Sequence, residues 1–351
     1  LIDPAFVRAL EALGEVKLDE PLSRHTTIGI GGPADAFLIA TAGEQVGAAL
    51  DLCRAAGQPF FVLGSGSNIV VGDRGIRGLV LLNKANDISD PQAMPQPSGW
   101  GRDTTVAAIG NSDPQPMPPG SAGGRPPPLA SISAPDATYR FRAEAGTSFA
   151  LLSRQLSFAG FEGLEWACGI PGTLGGAVVY NAGAYGGCLG DVLERIGVWD
   201  PAAGEVEYAA ADLGLVYRGS AFTKGLMTGR AVLWVEFTLW RGDETRLRAR
   251  IADYDERRLK AQPRGRNAGS FFKNPPAQPA WKLIEAVGLR GYQIGGARFS
   301  DKHCNFLINA GDATAADVAA LKRLAQQRIR DQFGVELEGE VSFVGEGFGD
   351  E

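Results

Sequence analysis

The chain has 351 residues, enough for two or three domains, with an ordinary globular balance of 44% apolar and 21% charged residues. A net charge of −6 gives no basic footprint for nucleic acid, and no apolar run reaches the ~18 residues of a membrane span. Four cysteines without a C-x-x-C pair, and two histidines in all, argue against a disulfide framework or His-rich zinc chemistry and read as reduced thiols of a cytoplasmic protein.

In chain order, residues 43–56 place Val46, Ala49, Leu50 and Cys53 at helical spacing, with Gly57 as the stop. Residues 59–68 (PFFVLGSGSN) read as a short buried strand entering a glycine turn, and Leu79–Leu82 as another strand. Residues 89–138 carry 11 of the 21 prolines among Gly, Ser and Asp. So little apolar surface cannot offset the entropy of ordering, which predicts a flexible surface insertion; a polyproline ligand for a partner domain is the alternative. Tyr139, Phe141, Ala143 and Ala145 then alternate with Arg140, Arg142 and Glu144, as in a half-buried strand. Phe149, Leu152 and Leu156 share a helix face ending at Gly160, and Leu233, Val235, Phe237 and Leu239 alternate along a further strand. Thr314 and Asp317 resemble a capping box, followed by Val318, Leu321, Ala325 and Ile329 on one face before Gly334. Helices and strands mix without strict βαβ alternation, which favours α+β.

Several stretches have residues suited to chemistry. Gly64, Ser65, Gly66, Ser67 and Asn68 follow a strand and gather backbone N–H groups, hydroxyls and an amide, which suits a pyrophosphate; a plain β-turn is the other reading. The loop is neither a Walker A motif nor a G-x-G-x-x-G opening a helix. Residues 169–187 hold seven glycines, backbone that a flat ring or a phosphate can approach closely, or else a structural turn. In residues 267–275 (NAGSFFKNP), Ser270 is a proton donor or a turn cap, but no nucleophile elbow, because G-x-S-x-G is absent. Arg218, in YRGSAF, is a functional cation or half of a surface ion pair. Glu338 and Glu340, if on a strand, face one side together and are paired carboxylates or simply solvated.

The order of these motifs is more specific than any one of them. GSGSN, GIPGTLGGA-x3-NAGAYGG, YRGSAF, NAGSFFKNP, SDKHCNFLIN and LEGEV together resemble the UDP-N-acetylenolpyruvoylglucosamine reductase (UDP-N-acetylmuramate dehydrogenase) family, from HTTIGIGGPADAF at residues 25–37 to about residue 346. The resemblance implies a two-part α+β FAD module of the vanillyl-alcohol-oxidase type with a smaller α+β substrate domain. The parts would be residues 1–83, 84–259 (with the insertion), 260–331, and a C-terminal segment 332–351 returning to the FAD module. It implies FAD as cofactor and NADPH as co-substrate. The reaction would be reduction of UDP-N-acetylglucosamine enolpyruvate to UDP-N-acetylmuramate in peptidoglycan precursor synthesis, by a monomer without nucleic-acid or membrane partners. Gly64 to Asn68 would hold the pyrophosphate, while Ile170, Pro171, Gly172, Gly175, Gly176 and Ala177 line the flavin and phosphates. Ser270 matches the family's proton donor, and Arg218 and Glu340 the pair stabilising the developing enolate. Lys260, Asn274, His303 and Tyr217 fall where the family contacts substrate, and no metal is implied. The short stretch from Arg218 to Ser270 resembles the family's shorter branch, without a tyrosine-bearing loop over the substrate. A flavin-dependent oxidase and a flavin-binding protein without chemistry are the rival readings; the loop's lack of histidine opposes the first, and intact Arg218, Ser270 and Glu340 oppose the second.

Overall fold

A computed structural model describes residues 2–94 and 138–349 of the chain. Two compact units emerge: residues 1–85 together with 258–351, and residues 86–257. Among the described residues, no helix is long and apolar enough to cross a membrane.

The first unit contains a four-stranded sheet in the order Val16–Pro21, Pro33–Ala40, Ile76–Asn83, Phe60–Leu63. Its first pair is antiparallel and the others parallel. Helix Gly43–Ala56 supplies one crossover and buries Val46, Ala49, Leu50 and Cys53. It ends where Gly57 turns left-handed at φ 63°, a conformation glycine adopts without a Cβ clash. Phe60–Leu63 was expected to be buried, yet only Leu63 is, because the strand lies at the sheet edge. A second, antiparallel sheet runs Asn267–Ser270, Phe306–Asn309, Ala297–Phe299, Gln293–Ile294. Helix Ala315–Phe333 packs Val318, Leu321, Ala325 and Ile329 into the core beside this sheet. Its N-terminus carries the capping box: Asp317 N–H donates to Thr314 Oγ1 at 3.1 Å, and Thr314 N–H to Asp317 Oδ2 at 3.0 Å. Residues 258–351 share this compact unit with residues 1–85. Near the end of the chain, Ser342–Val344 pairs in parallel with Ile69–Val71.

The second unit is built on a six-stranded sheet, Gly204–Ala209, Leu193–Asp200, Ala231–Arg241, Thr138–Glu144, Gln92–Ala93, with Phe161–Glu162 also on Ala231–Arg241. One face buries Phe141, Ala143, Ile196, Val235 and Phe237 under helix Phe149–Phe158. The alternation expected along Leu233–Leu239 is absent from the burial, since Trp234 and Glu236 are buried too. That strand is central, and its polar face is covered by arginines: Arg142 lies 3.7 Å from the Trp234 ring, and Arg195 pairs with Glu236 at 2.8 Å. The first residues of the proline-rich stretch are likewise ordered into the sheet edge. Ser89 N–H donates to Arg142 O at 2.8 Å, and Met94 N–H to Thr138 O at 2.9 Å. Residues 95–137, the bulk of the expected flexible insertion, lie outside the described residues.

Candidate active site

In the first unit, the segment after Ser270 is held between two other stretches of chain. Ser270 ends the Asn267–Ser270 strand, opposite Phe306. The next carbonyl, of Phe271, accepts from Glu340 N–H at 2.9 Å, and Lys273 N–H donates to Glu338 O at 2.9 Å. Ser270 and Glu340 are thereby drawn to neighbouring positions by backbone bonds. Glu338 and Glu340 lie in extended chain with one isolated bridge, Phe272 to Gly339, so the condition that would set both on one face of a strand is not met. Nor is Glu338 merely solvated, because its carboxylate takes Lys273 Nζ at 2.5 Å.

The 64–68 loop is tied to this region by two residues. Asn68 Nδ2 donates to the Glu340 carbonyl at 3.2 Å, and Asn68 O accepts from Ser342 N–H at 3.0 Å. Thr27 N–H donates to Gly66 O at 3.0 Å, while its hydroxyl donates to Asn267 O at 2.7 Å. A hydroxyl has one proton to give, so Thr27 spends its two donors on two segments and joins the loop to the serine strand. Thr27 carries no sequence signal of this, because its partners are remote in the chain. Gly66 has φ 61°, and a Cβ there would stand 2.1 Å from His25 O. Glycine is therefore required here by an internal close approach, whatever the loop binds. The rest of the loop suits an anion: Ser65 is exposed with its hydroxyl 3.2 Å from that of Ser67, and no acidic side chain occurs within residues 64–68.

The second unit contributes the other glycine-rich stretch and Arg218. Residues 174–179, expected as uncovered backbone, instead form a short helix, Leu174–Val179, with Thr173 as N-cap. Gly175 and Ala177 face the core: Gly175 N–H donates to Ala145 O at 2.8 Å, and a Cβ on Gly175 would lie 2.9 Å from Ala145 Cβ. Gly176 is different, with only Thr173 Oγ1 near its Cβ direction, at 3.5 Å. Ile170 is half-buried, Pro171 exposed, and Gly172 adopts φ 144°. Tyr217 and Arg218 form the tip of a tight turn in which Val216 and Gly219 exchange N–H···O bonds of 2.9 and 3.2 Å. Arg218 adopts φ 53°, a conformation costly for a residue with a side chain. Its Nη2 donates to Gly183 O at 2.7 Å. Asn181 supports the turn from beneath, giving Nδ2–H to Val216 O at 3.0 Å and accepting Gly190 N–H at 3.0 Å. Sequence reading passed over Asn181 as part of a glycine-rich run.

Among the substrate-side candidates, Asn274 Oδ1 accepts from Ala280 N–H at 3.0 Å, which aims its amide nitrogen elsewhere as a donor. His303 Nδ1 accepts from Asn305 N–H at 3.3 Å. Burial holds the His303 pKa below the ordinary imidazole value, so the ring is neutral at pH 7 with its proton on Nε2. Lys260 lies in the last turn of helix Glu244–Ala261, and Tyr217 is 38% exposed. Among the described residues, no group of His, Cys, Asp and Glu could hold a metal ion.

Two sequence profiles match the chain: the C-terminal domain of UDP-N-acetylenolpyruvoylglucosamine reductase over residues 261–344, and an FAD binding domain over residues 130–209. The enzyme of that name from Desulfosudis oleivorans is 37% identical over 341 residues, covering 94% of this chain and 95% of the relative. Its counterpart from Agathobacter rectalis is 36% identical over 352 residues, covering 98% and 100%. The crystal structure of UDP-N-acetylenolpyruvylglucosamine reductase from Thermus caldophilus superposes with a TM-score of 0.67 at 30% identity, covering 94% of this chain and 98% of that one.

Proposed function

The chain belongs to the UDP-N-acetylenolpyruvoylglucosamine reductase family, and from that premise we propose that it reduces UDP-N-acetylglucosamine enolpyruvate to UDP-N-acetylmuramate, with FAD as cofactor and NADPH as co-substrate, for peptidoglycan precursor synthesis. In this reading it works in the cytoplasm as a monomer. Residues 1–83 and 84–259 are the two parts of its FAD module, 260–331 its substrate domain, and 332–351 a segment returning to the FAD module.

FAD, when bound, carries the reducing equivalents of NADPH to the enolpyruvyl methylene carbon. The Gly64–Asn68 donors bind its pyrophosphate; Ile170, Pro171, Gly172 and Gly176 line it, with Gly175 and Ala177 supporting them from the core side. The chain's own acid–base task is to protonate the carbon beside the substrate carboxylate. Ser270 gives that proton from its hydroxyl. The Arg218 guanidinium, presented on its rigid turn, stabilises the negative charge that develops on the carboxylate oxygens. Glu340 completes with it the pair that stabilises the developing enolate. A serine hydroxyl is a weak acid in water, so groups that stabilise the alkoxide or return its proton are what make the transfer fast. At the nucleotide end, Lys260 offers charge, Asn274 and His303 Nε2–H offer donors, and Tyr217 offers an aromatic face.

The observation that best supports this reading is the bond from Glu340 N–H to the carbonyl following Ser270, at 2.9 Å, which makes neighbours of the two residues. Stopped-flow spectroscopy of Ser270→Ala tests it by separating the half-reactions. Flavin bleaching by NADPH should stay near the wild-type rate. Reoxidation by the enolpyruvyl substrate should slow by about 10² to 10⁴, the usual worth of a positioned general acid. Equal slowing of both steps, or of neither, would remove Ser270 from the chemistry.

A further inference from the structure

The ladder that holds the proton-donor strand stops one residue too early, and a side chain continues it. Asn267–Ser270 pairs with Phe306–Asn309 only as far as Ser270 opposite Phe306, with an irregular register on the way. Phe272, two residues on, is 1% exposed, so its backbone N–H and C=O need partners within the protein. Both are met by one buried amide: Phe272 N–H donates to Asn305 Oδ1 at 2.9 Å, and Asn305 Nδ2–H donates to Phe272 O at 2.8 Å. The Asn305 backbone carbonyl also accepts from Phe271 N–H at 2.8 Å. An asparagine side chain has the donor and acceptor of a peptide unit, and here it stands in for the missing strand residue.

From this geometry we infer that Asn305 is a positioning residue for protonation by Ser270. Three hydrogen bonds fix residues 271 and 272 from the Asn305 side, while Glu340 N–H fixes the Phe271 carbonyl from the other. The backbone leaving Ser270 is thus pinned on both edges, and with it the direction of the hydroxyl and its distance to Glu340. The backbone N–H of Asn305 further holds His303 Nδ1, so the same residue sets the tautomer of a nucleotide-side donor. Displacement of a reacting group by about 1 Å from a remote change costs on the order of 10²-fold in rate, which is the scale expected here.

This inference rests on the reading of Ser270 as proton donor, and the experiment separates the two. Asn305→Asp keeps the acceptor for Phe272 N–H and replaces the donor with a carboxylate oxygen facing Phe272 O. Its NADPH half-reaction should stay within about twofold of wild type, while substrate reoxidation slows by about 10- to 100-fold. A protonated aspartic acid again offers one donor and one acceptor. Lowering the pH should therefore restore reoxidation in the variant relative to wild type at the same pH, a recovery that general loosening of the fold does not give. In a Ser270→Ala background, Asn305→Asp should slow reoxidation no further, because the group it positions is gone. Asn305→Ala is the harsher companion; if it fails to fold, the aspartate series still decides. Should Ser270→Ala slow reoxidation while Asn305→Asp slows both half-reactions alike, shows no acid recovery, or adds its full effect to Ser270→Ala, the positioning role is overturned and the donor role survives. Should Ser270→Ala leave reoxidation unchanged, the donor reading itself falls, and the Asn305 inference with it.

Discussion

Residues 64–68 and residues 169–177 look alike in sequence, each a glycine-rich run suited to phosphate, yet glycine serves them differently. In the first, Gly66 combines a left-handed φ of 61° with a Cβ direction blocked 2.1 Å away by the His25 carbonyl. Neither can be relieved by a side-chain rotation, since the obstacle is backbone. In the second, Gly175 sits within a helix at an ordinary φ, and its neighbour is a methyl group, Ala145 Cβ, at 2.9 Å. One residue on, Gly176 has room. Composition alone therefore does not separate a glycine required by conformation from one required by packing, or either from one that leaves a surface open for a ligand.

This difference can be broken by substitution. Gly66→Val should have the largest effect, a loss above about 4 kcal/mol or failure to fold, because strain and overlap with backbone act together. A soluble Val variant melting at the wild-type temperature would contradict the described turn. For Gly175→Val, overpacking against Ala145 should cost about 1–3 kcal/mol, visible as a lower denaturation midpoint with an unchanged m-value. Thr27→Val removes the hydroxyl that ties the first run to Asn267 and leaves the N–H bond to Gly66 intact. A loss of about 1 kcal/mol is expected, and an unchanged urea midpoint would show that the tie carries no stability. Gly176→Ala should go the other way, stabilising the FAD-free protein by about 0.5–1 kcal/mol as any alanine does in a helix. If Gly176 lines the cofactor, the FAD content of the same variant should fall even as its apo form melts higher. Full FAD content would make Gly176 a helix position and nothing more.

Elements whose signal is local were legible in the sequence. The helix face of Val46, Ala49, Leu50 and Cys53, and the Thr314–Asp317 capping box, depend on spacings within one or two turns, and both are present. The Leu233–Leu239 strand is present with all four residues buried, but its alternation does not show the burial of the opposite face, where Arg142 and Arg195 cover Trp234 and Glu236. The roles proposed for Ser270, Arg218 and Glu340 rest on motif order, not on any property of their own neighbourhoods. Thr27, Asn181 and Asn305 were missed because their work is to accept or donate across chain separations that a sequence window does not span. Thr27 and Asn267, for example, are 240 residues apart. Glu338 shows the same limit, since its pairing with Lys273 depends on two loops meeting.

The parallel pairing of Ser342–Val344 with Ile69–Val71 bears on how the protein is made. The strand that follows the 64–68 loop meets its neighbour only when residues 342–344 have been synthesised, and Asn68 finds the Glu340 carbonyl 272 residues downstream. At about 5–20 residues per second, a ribosome takes roughly 15–50 s to cover that interval. Throughout it, the nascent chain carries the 64–68 loop without its downstream support, and the whole second unit has emerged before the first is complete. A chain cut short before residue 338 lacks both the Glu340 carboxyl and the strand that steadies the loop, so under the proposed roles unfinished copies would lose flavin retention and chemistry together. Colour would then report that synthesis had passed residue 344.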